Sequence, residues 1–285
     1  MATLFIRCAY LLLAVPLLAL AAPAAERGRL LQEAAASVLP TGGHHSRVML
    51  GDSIVRLQQE GALQMLKFEA VYAQRGGIPQ ELLGAFRQPS SKPIVLNRAN
   101  AGVYVNLLWS LGLANRMLAN HDSPLNGPAG SNFASTGGWT LGNAPKGGDY
   151  FNRFTIVELS PHQEALVARV ARNIFRPCCG NSTFFQDCNH GSALLGLLAL
   201  GAAQGLGEDE LYREALAFNA FWFPDQYVQS ALYFKEARNL EWRNVDAREV
   251  LSARFSSASG WRTNIANELA KRGLAATQND QGCSV

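Results

Sequence analysis

The chain of 285 residues is 48% hydrophobic and only 16% charged, with a formal net charge of +3. This apolar content is enough to bury the core of one domain or of two small ones. The weak positive charge argues against nucleic acid as a partner, because nucleic-acid-binding surfaces concentrate basic residues on one face.

Residues 1–25 have the pattern of a secretory signal peptide. Arg7 precedes the apolar run LLLAVPLLALAA, and small residues suited to cleavage follow at Ala19-Leu20-Ala21 and Ala22-Pro23-Ala24. The run is short for a spanning helix, and Pro16 interrupts it. We therefore predict an exported protein, periplasmic or extracellular, with no stable membrane span after cleavage. The alternative is that the segment stays as an anchor.

Helical patterns cover most of residues 26–120. RLLQEAAASVL has the periodicity of a short amphipathic helix, and a solvated turn is expected at His44-His45. GDSIVRLQQEGALQMLKFEAVYAQRGG is predicted as one helix, capped by Asp52 or Ser53 and ended by its two glycines. LNRANAGVYVNLLWSLGLANRML is predicted as a long apolar helix at the centre of an N-terminal helical region.

Residues 121–153 change in character, being dense in glycine, asparagine, serine and proline. The segment is too long for an ordinary connector, so we predict a loop that is either functional or mobile. Trp139 in its middle suggests that the loop folds back onto the protein. Because no G-x-x-x-x-G-K-S/T pattern is present, a nucleotide site is not favoured.

Residues 154–285 are predicted as a C-terminal helical region. In SPHQEALVARVARNIF, Ser160 caps a helix, Pro161 occupies its first turn and Gln163 completes a capping box. GSALLGLLALGAAQG is apolar on all sides and is expected to be buried. Sustained period-2 alternation is nearly absent from the chain. The fold class is therefore mainly α: a multi-helix bundle with the glycine-rich loop and a cysteine-rich loop between helices.

The cysteine-rich loop, PCCGNSTFFQDCNHG, is the sharpest chemical feature of the sequence. Cys178 and Cys179 lie near the end of one predicted helix, while Cys188 and His190 lie near the start of the next. A helix N-terminus favours a thiolate, and a nearby imidazole can donate a proton, accept one or bind a metal. These four side chains form the candidate functional site.

Three interpretations of this loop remain open. In the first, the protein is a non-enzymatic binding or scaffold protein whose cysteines brace the loop: Cys188 forms a disulfide with Cys178 or Cys179, and Cys283 pairs with the remaining one. In the second, the loop performs thiol–disulfide exchange on a protein thiol or disulfide, with no cofactor. In the third, the loop binds a transition-metal ion.

The redox and metal interpretations give the same side chains different roles. For redox chemistry, which we favour, Cys179 and Cys188 are the exchanging pair. Cys178 is then an alternative partner, and His190 tunes the thiolate. For a metal, the expected ligands are three cysteines and one histidine: Cys178, Cys179, Cys188 and His190. The adjacent pair Cys178-Cys179 departs from the C-x2-C spacing that is usual in zinc sites.

The motifs CCGNST, DCN and GLGEDELY, within about residues 174–227, occur in the order of a known family. This segment resembles the thiol-redox domains of CcmH-type cytochrome c maturation proteins. Cys179 matches the family's second cysteine and Asn181 its asparagine, whereas Arg176 stands where the first cysteine of the C-x-x-C motif is expected. The resemblance implies a helix–loop–helix thiol site in an exported protein. No C-x-x-C-H motif for haem attachment is present.

A serine-hydrolase interpretation starts from VMLGDSIV, in which Ser53 would be the nucleophile. Asp187 and His190 fit the required D-x-x-H spacing by letters. The α/β pattern of such enzymes is absent, however, and Asp52-Ser53 is an ordinary helix cap. We therefore do not favour this interpretation.

Overall fold

The protein is described by a computed structural model that covers residues 24–275. The predicted signal segment, apart from its last two residues, lies outside the described residues. The elements of the first part of the chain are α1 (Ala24–Val38), β1 (His44–Gly51), α2 (Ser53–Gln59), α3 (Met65–Tyr72), α4 (Gln80–Leu83), a 3-10 turn (Gly84–Phe86), β2 (Ser90–Leu96) and α5 (Ala101–Ala114).

The middle part contains α6 (Ala134–Gly137) and 3-10 turns at Leu118–Asn120, Pro124–Asn126, Gly130–Asn132 and Gly147–Asp149. The last part contains α7 (Pro161–Arg172), α8 (Asn189–Ala203), α9 (Glu208–Trp222), α10 (Pro224–Arg238), a 3-10 turn (Trp242–Asn244), α11 (Ala247–Val250), α12 (Ala253–Ser256), α13 (Ala258–Trp261), a π-helical turn (Arg262–Ala266) and α14 (Asn267–Lys271). The predicted mainly helical class is confirmed. Within residues 24–275, no helix is both long and apolar enough to cross a bilayer.

Helices α5 and α8 form the centre of the fold and are buried on nearly all sides. They cross in close contact at two glycines. A Cβ atom at Gly112 would lie 1.8 Å from the backbone oxygen of Ser192, and one at Gly196 would lie 2.4 Å from that of Leu108. The contact of these two backbones fixes the position of the N-terminus of α8, which carries Cys188.

Replacing Gly112 by alanine is expected to lower the free energy of unfolding by about 3 kcal/mol, because the added methyl group meets backbone that cannot move away. Gly102→Ala, on the same helix with open space around its Cα, is the matched control. The control is expected to be neutral or slightly stabilising, because alanine favours the helix by ~1 kcal/mol. Urea unfolding of both variants measures the difference, and equal stabilities would contradict the close crossing.

The pair of strands is the main departure from the predicted architecture. β1 and β2 pair antiparallel, with His44 opposite Leu96 and Gly51 opposite Ser90. The turn predicted at His44-His45 is therefore wrong, since both residues belong to β1. The side chains of β1 alternate between buried and more exposed positions over its length, but its letters, HHSRVMLG, do not alternate between apolar and polar residues.

The single helix predicted over residues 51–77 is also wrong, because it is divided into α2 and α3. Gly61 adopts a left-handed conformation with φ +69°, which ends α2. Asn143 donates from its backbone N–H to the Gly61 oxygen, and Gln64 donates to the Leu141 oxygen. The glycine-rich segment is thus bound to the break between the two helices.

Other features follow the sequence closely. Ser160 and Gln163 form the predicted reciprocal capping box at the start of α7. Trp139 is 1% exposed and donates from Nε1 to the Ala62 oxygen, which confirms that the glycine-rich segment folds back onto the protein. This segment forms part of the wall of the site described below.

The buried Glu214 carboxylate on α9 holds β1 in place. It accepts hydrogen bonds from His44 Nε2 at 2.9 Å, Ser46 Oγ at 2.7 Å and the Arg47 N–H at 2.9 Å. Burial alone would raise the pKa of Glu214, but these donors outweigh burial and hold that pKa below its usual value. The carboxylate therefore stabilises the fold in its ionised form.

The stabilisation from Glu214 is expected to be fully present at pH values above the pKa of glutamate in the unfolded chain, about 4.3. It is expected to be lost as the pH falls through the lower pKa that Glu214 has in the folded protein. Glu214→Gln should lower the free energy of unfolding by about 1–3 kcal/mol at pH 7, and by less at pH 3. Glu60→Gln, at an exposed position, is the control and should change it by less than about 0.5 kcal/mol. Urea unfolding at both pH values tests this, and a pH-independent loss would contradict it.

Candidate metal and thiol site

The loop between α7 and α8 is held by backbone hydrogen bonds within itself and to neighbouring segments. These bonds join Thr183 N to Ile174 O, Phe184 N to Ala171 O, Phe175 N to Leu251 O and Ala258 N to Cys179 O, at 2.8–3.0 Å. The cysteines are therefore carried by a fixed backbone rather than by a free surface loop.

The sulfur atoms of Cys178, Cys179 and Cys188, here called the sulfur triangle, lie close together. Sγ of Cys179 lies 3.2 Å from that of Cys178 and 3.2 Å from that of Cys188, and the third edge measures 3.9 Å. A disulfide requires about 2.05 Å, so none of the three edges of the triangle is a disulfide bond. The expected disulfide from Cys188 to one of the adjacent pair is therefore not formed. Cys8 and Cys283 lie outside the described residues.

Arg176 is the buried cation of the site, with its side chain fully excluded from solvent. Its guanidinium donates to Cys188 Sγ at 3.3 Å and to Asp187 Oδ1 at 3.1 Å. The same group donates to the backbone oxygen of Asn181 at 3.0 Å and lies 3.5 Å from Thr183 Oγ1. One side chain thus joins both ends of the cysteine loop and faces the sulfur of Cys188.

Cys188 is the cysteine whose thiolate form its surroundings favour most. It is the N-cap of α8, and Gly191 donates its N–H to Sγ at 3.4 Å. Cys188 Sγ accepts hydrogen bonds from the other two thiols, from the Arg176 guanidinium and from the Gly191 N–H. Burial alone would raise the pKa of Cys188, but these donors outweigh it and hold that pKa far below its usual value. The pKa of Cys179 is shifted in the opposite direction. The hydrogen bond with Cys178 lowers it, but the hydrogen bond with Cys188 and burial have the larger combined effect and raise the pKa of Cys179 to about 12. The surroundings therefore favour the thiolate form of Cys188 and the protonated form of Cys179.

His190 is placed differently from the expectation. Among the described residues, the metal-ligating atoms that lie within 4.8 Å of one another are the three sulfurs, without a His190 nitrogen. The His190 ring is buried against Phe223, with ring centroids 4.5 Å apart, and near Trp222 at 5.8 Å. Burial lowers the pKa of His190 to about 4, so the ring is neutral near pH 7. The structure thus brings together the three cysteines of the expected ligand set, while the His190 ring lies outside this group.

A cavity of about 480 Å³ lies in front of the sulfur triangle. All three cysteines line the cavity, as do Trp109 and Trp139, whose ring centroids are 4.9 Å apart. Both indole N–H groups are used inside the protein: Trp109 donates to the Ser135 oxygen and Trp139 to the Ala62 oxygen, each at 2.9 Å. The indoles therefore offer the cavity no free hydrogen-bond donor.

Sequence reasoning missed two polar residues of this site. The sequence singles out Arg176 only as the residue that stands where a cysteine is expected, and it assigns no role to Asn106, within α5. Asn106 lines the cavity and is 3% exposed. Its Nδ2 donates a hydrogen bond to Tyr72 Oη at 2.7 Å. Its buried Oδ1 accepts no hydrogen bond within the described residues. A single asparagine in an apolar helix was the available signal, because a buried amide needs partners.

The residues of the serine-hydrolase interpretation do not form a catalytic group in the described structure. Ser53 is the first residue of α2 and donates its hydroxyl to the Leu50 oxygen at 2.6 Å. Asp187 pairs with Arg176 and accepts a hydrogen bond from Asn181 rather than from His190. These contacts explain Ser53 as a structural residue and Asp187 as part of the cysteine loop.

Comparison with known proteins does not add a relative to this description. No protein-family model, curated protein or solved structure matches the chain. The similarity to CcmH-type proteins consequently remains a prediction from the motifs around Cys179 and Cys188, and the function is argued from the site itself.

Proposed function

We propose that this protein binds one thiophilic metal ion, Zn²⁺ or Cu⁺, through Cys178, Cys179 and Cys188. The sulfur triangle carries this proposal, because three thiols converge where a disulfide would need only two. Thiolate sulfur is the ligand type that selects these ions in proteins. The site would therefore be a three-cysteine centre on the wall of the cavity.

The dimensions of the sulfur triangle support a single bound ion. Three sulfurs bonded at about 2.3 Å to one tetrahedral zinc ion are separated by about 3.8 Å. The edges of the triangle measure 3.2, 3.2 and 3.9 Å, so ligation requires two edges to lengthen by about 0.6 Å. Side-chain rotation of this size leaves the anchored backbone of the loop in place.

The charges around the sulfurs also support thiolate ligands. Arg176 and the N-terminus of α8 both place positive charge beside Cys188. If the protein is exported, as its first 25 residues predict, a bound metal would also explain how three close thiols escape oxidation in an oxidising compartment.

Metal titration of the reduced protein tests the proposal. We expect one Zn²⁺ per chain, with an affinity that resists a weak chelator, and protection of Cys178, Cys179 and Cys188 from alkylation as mapped by mass spectrometry. Removal of the ion by a strong chelator should restore alkylation at all three. Failure to bind Zn²⁺ or Cu⁺ stoichiometrically would overturn the proposal.

Thiol–disulfide exchange is the second candidate, and the pairing of a Cys188 thiolate with a protonated Cys179 thiol at 3.2 Å favours it. In that reaction the thiolate attacks a sulfur of a substrate protein disulfide, and one substrate thiolate leaves. Cys179 then loses its proton and attacks Cys188, which releases the second substrate thiolate and leaves a Cys179–Cys188 disulfide. A readily reducible bridge between these two residues, with no metal bound, would favour this candidate.

A further inference from the structure

The three edges of the sulfur triangle differ in their ability to become a disulfide. Cys178 and Cys179 are neighbours in the chain, and the Cα atoms of neighbouring residues lie about 3.8 Å apart across a trans peptide. Residues joined by a disulfide usually have Cα atoms about 4.4–6.8 Å apart. The adjacent pair is therefore a poor disulfide, although its sulfurs are 3.2 Å apart.

The edge between Cys179 and Cys188 is the most favourable of the other two. Its sulfurs lie 3.2 Å apart, against 3.9 Å between Cys178 and Cys188. A bond of 2.05 Å requires the shorter edge to contract by about 1.15 Å. The backbone at both ends is held, because the Cys179 oxygen accepts from Ala258 N–H and Cys188 is the N-cap of α8. Oxidation of the triangle thus has one preferred product, a Cys179–Cys188 disulfide that leaves Cys178 as a thiol.

This disulfide and a bound metal ion exclude each other. A cysteine binds a metal ion as a thiolate, and a sulfur in a disulfide has lost the charge that makes it a ligand. Forming the bridge removes two of the three ligands together and leaves Cys178 alone. An ion bound by the sulfur triangle would therefore be released when Cys179 and Cys188 are oxidised.

The surroundings tolerate the loss of a thiolate at Cys188. Arg176 donates to Cys188 Sγ, but also to Asp187 Oδ1 at 3.1 Å and to the Asn181 oxygen at 3.0 Å. A buried cation left without a partner is strongly destabilising. Since Arg176 keeps the carboxylate of Asp187 after oxidation, the loop can retain its fold in both states, and reduction can restore the metal site.

The cavity gives a small oxidant access to the sulfurs. All three cysteines line this space of about 480 Å³, and each is partly exposed. The described residues of the lining include no lysine, arginine, aspartate or glutamate. Hydrogen peroxide is uncharged and small, so it enters without losing the hydration of a charge. A bulky charged disulfide such as oxidised glutathione would lose hydration in the cavity without gaining a charged partner.

We propose that hydrogen peroxide releases Zn²⁺ from the sulfur triangle by converting Cys179 and Cys188 to a disulfide, so that the site holds its ion only when reduced. This inference rests on the proposed function. One thiolate attacks a peroxide oxygen, the O–O bond breaks, and a sulfenic acid and hydroxide form. The second thiolate attacks the sulfenic sulfur and displaces another hydroxide. Both hydroxides take protons from solvent, and two electrons pass from the sulfurs to the peroxide.

The test uses the full reduced chain loaded with Zn²⁺, hydrogen peroxide as the oxidant and a coloured chelator that reports free zinc. We expect about one Zn²⁺ released for each peroxide consumed, and a Cys179–Cys188 bridge in the peptide map. Dithiothreitol should reverse both changes and restore zinc binding. Oxidised glutathione at the same concentration should release zinc more slowly, and equal rates would overturn peroxide as the oxidant.

A pair of variants tests the choice of disulfide in the metal-free protein. Cys178→Ser should still form the Cys179–Cys188 bridge with hydrogen peroxide. Cys188→Ser keeps two cysteines as well, but they are the adjacent pair and should form no bridge with each other. Peptide mapping distinguishes these products from bridges that involve Cys8 or Cys283. A bridge between Cys178 and Cys179, in the variant or in the unaltered protein, would overturn the assignment.

The outcomes separate this inference from the proposed function. If Zn²⁺ binds through the sulfur triangle and stays bound after peroxide treatment, with no bridge formed, the release is wrong and the metal site stands. If Zn²⁺ does not bind to the reduced protein through these sulfurs, the proposed function fails and the release fails with it. Oxidation that dithiothreitol cannot reverse, such as a sulfinic acid at Cys188, would overturn the reversible release.

Discussion

Replacing Cys178 by serine is expected to weaken Zn²⁺ binding by at least about a hundredfold, as much as the same change at Cys179 or Cys188. Each residue supplies one of three ligands, and the loss of even a supporting partner of a ligand commonly costs ~10–100-fold in metal affinity. Competition with a chelator of known affinity measures the loss for each variant.

Cys178 is the most informative of the three positions, because the two candidate functions disagree about it. Thiol exchange between Cys179 and Cys188 can proceed without Cys178, whereas a three-cysteine site cannot form without it. Thermal unfolding of the metal-free variants serves as the control for an intact fold. Unchanged Zn²⁺ affinity in Cys178→Ser, with the exchange reaction retained, would contradict the metal site and support redox chemistry.

Arg176→Met is expected to destabilise the metal-free protein by about 3–5 kcal/mol, because it leaves buried partners of the guanidinium without their cation. The variant should also raise the pKa of Cys188, which loses the Arg176 charge, and so slow its alkylation by iodoacetamide at low pH. Urea unfolding measures the first effect, and the pH dependence of alkylation measures the second.

Arg172→Met is the matched control, at an exposed position at the end of α7. Its guanidinium lies over the Phe184 ring at 4.2 Å, a contact worth about 0.5–1 kcal/mol at an exposed site. Similar destabilisation by the two substitutions, or an unchanged alkylation profile in Arg176→Met, would contradict the role of Arg176 as the buried cation of the site.

The elements that could be predicted are those whose signals are local. The capping box at Ser160 and the all-apolar sequence of α8 each specify a helix without reference to the rest of the chain. The antiparallel pairing of β1 with β2 is different, because the strands are far apart in sequence and only tertiary packing joins them. Gly61 shows the same limit: its left-handed backbone is fixed by contacts with the distant glycine-rich segment.

The residues of the candidate site also fall into two groups, those that a local sequence signal predicts and those that only the folded chain brings together. The three cysteines could be grouped from sequence because the loop that carries them is short and held by a helix at each end. His190 is near Cys188 in sequence but occupies the first turn of α8, and its ring packs against Phe223 instead of joining the sulfurs. Asn106 comes from a helix far away in the chain, so its place on the cavity wall appears only in the folded protein.

X-ray absorption spectroscopy of the Zn²⁺-loaded protein is the most direct measurement of the metal site. We expect three sulfur ligands at about 2.3 Å and one lighter ligand at the free position. Two or fewer sulfurs per ion, or an ion surrounded only by nitrogen and oxygen, would contradict the three-cysteine centre.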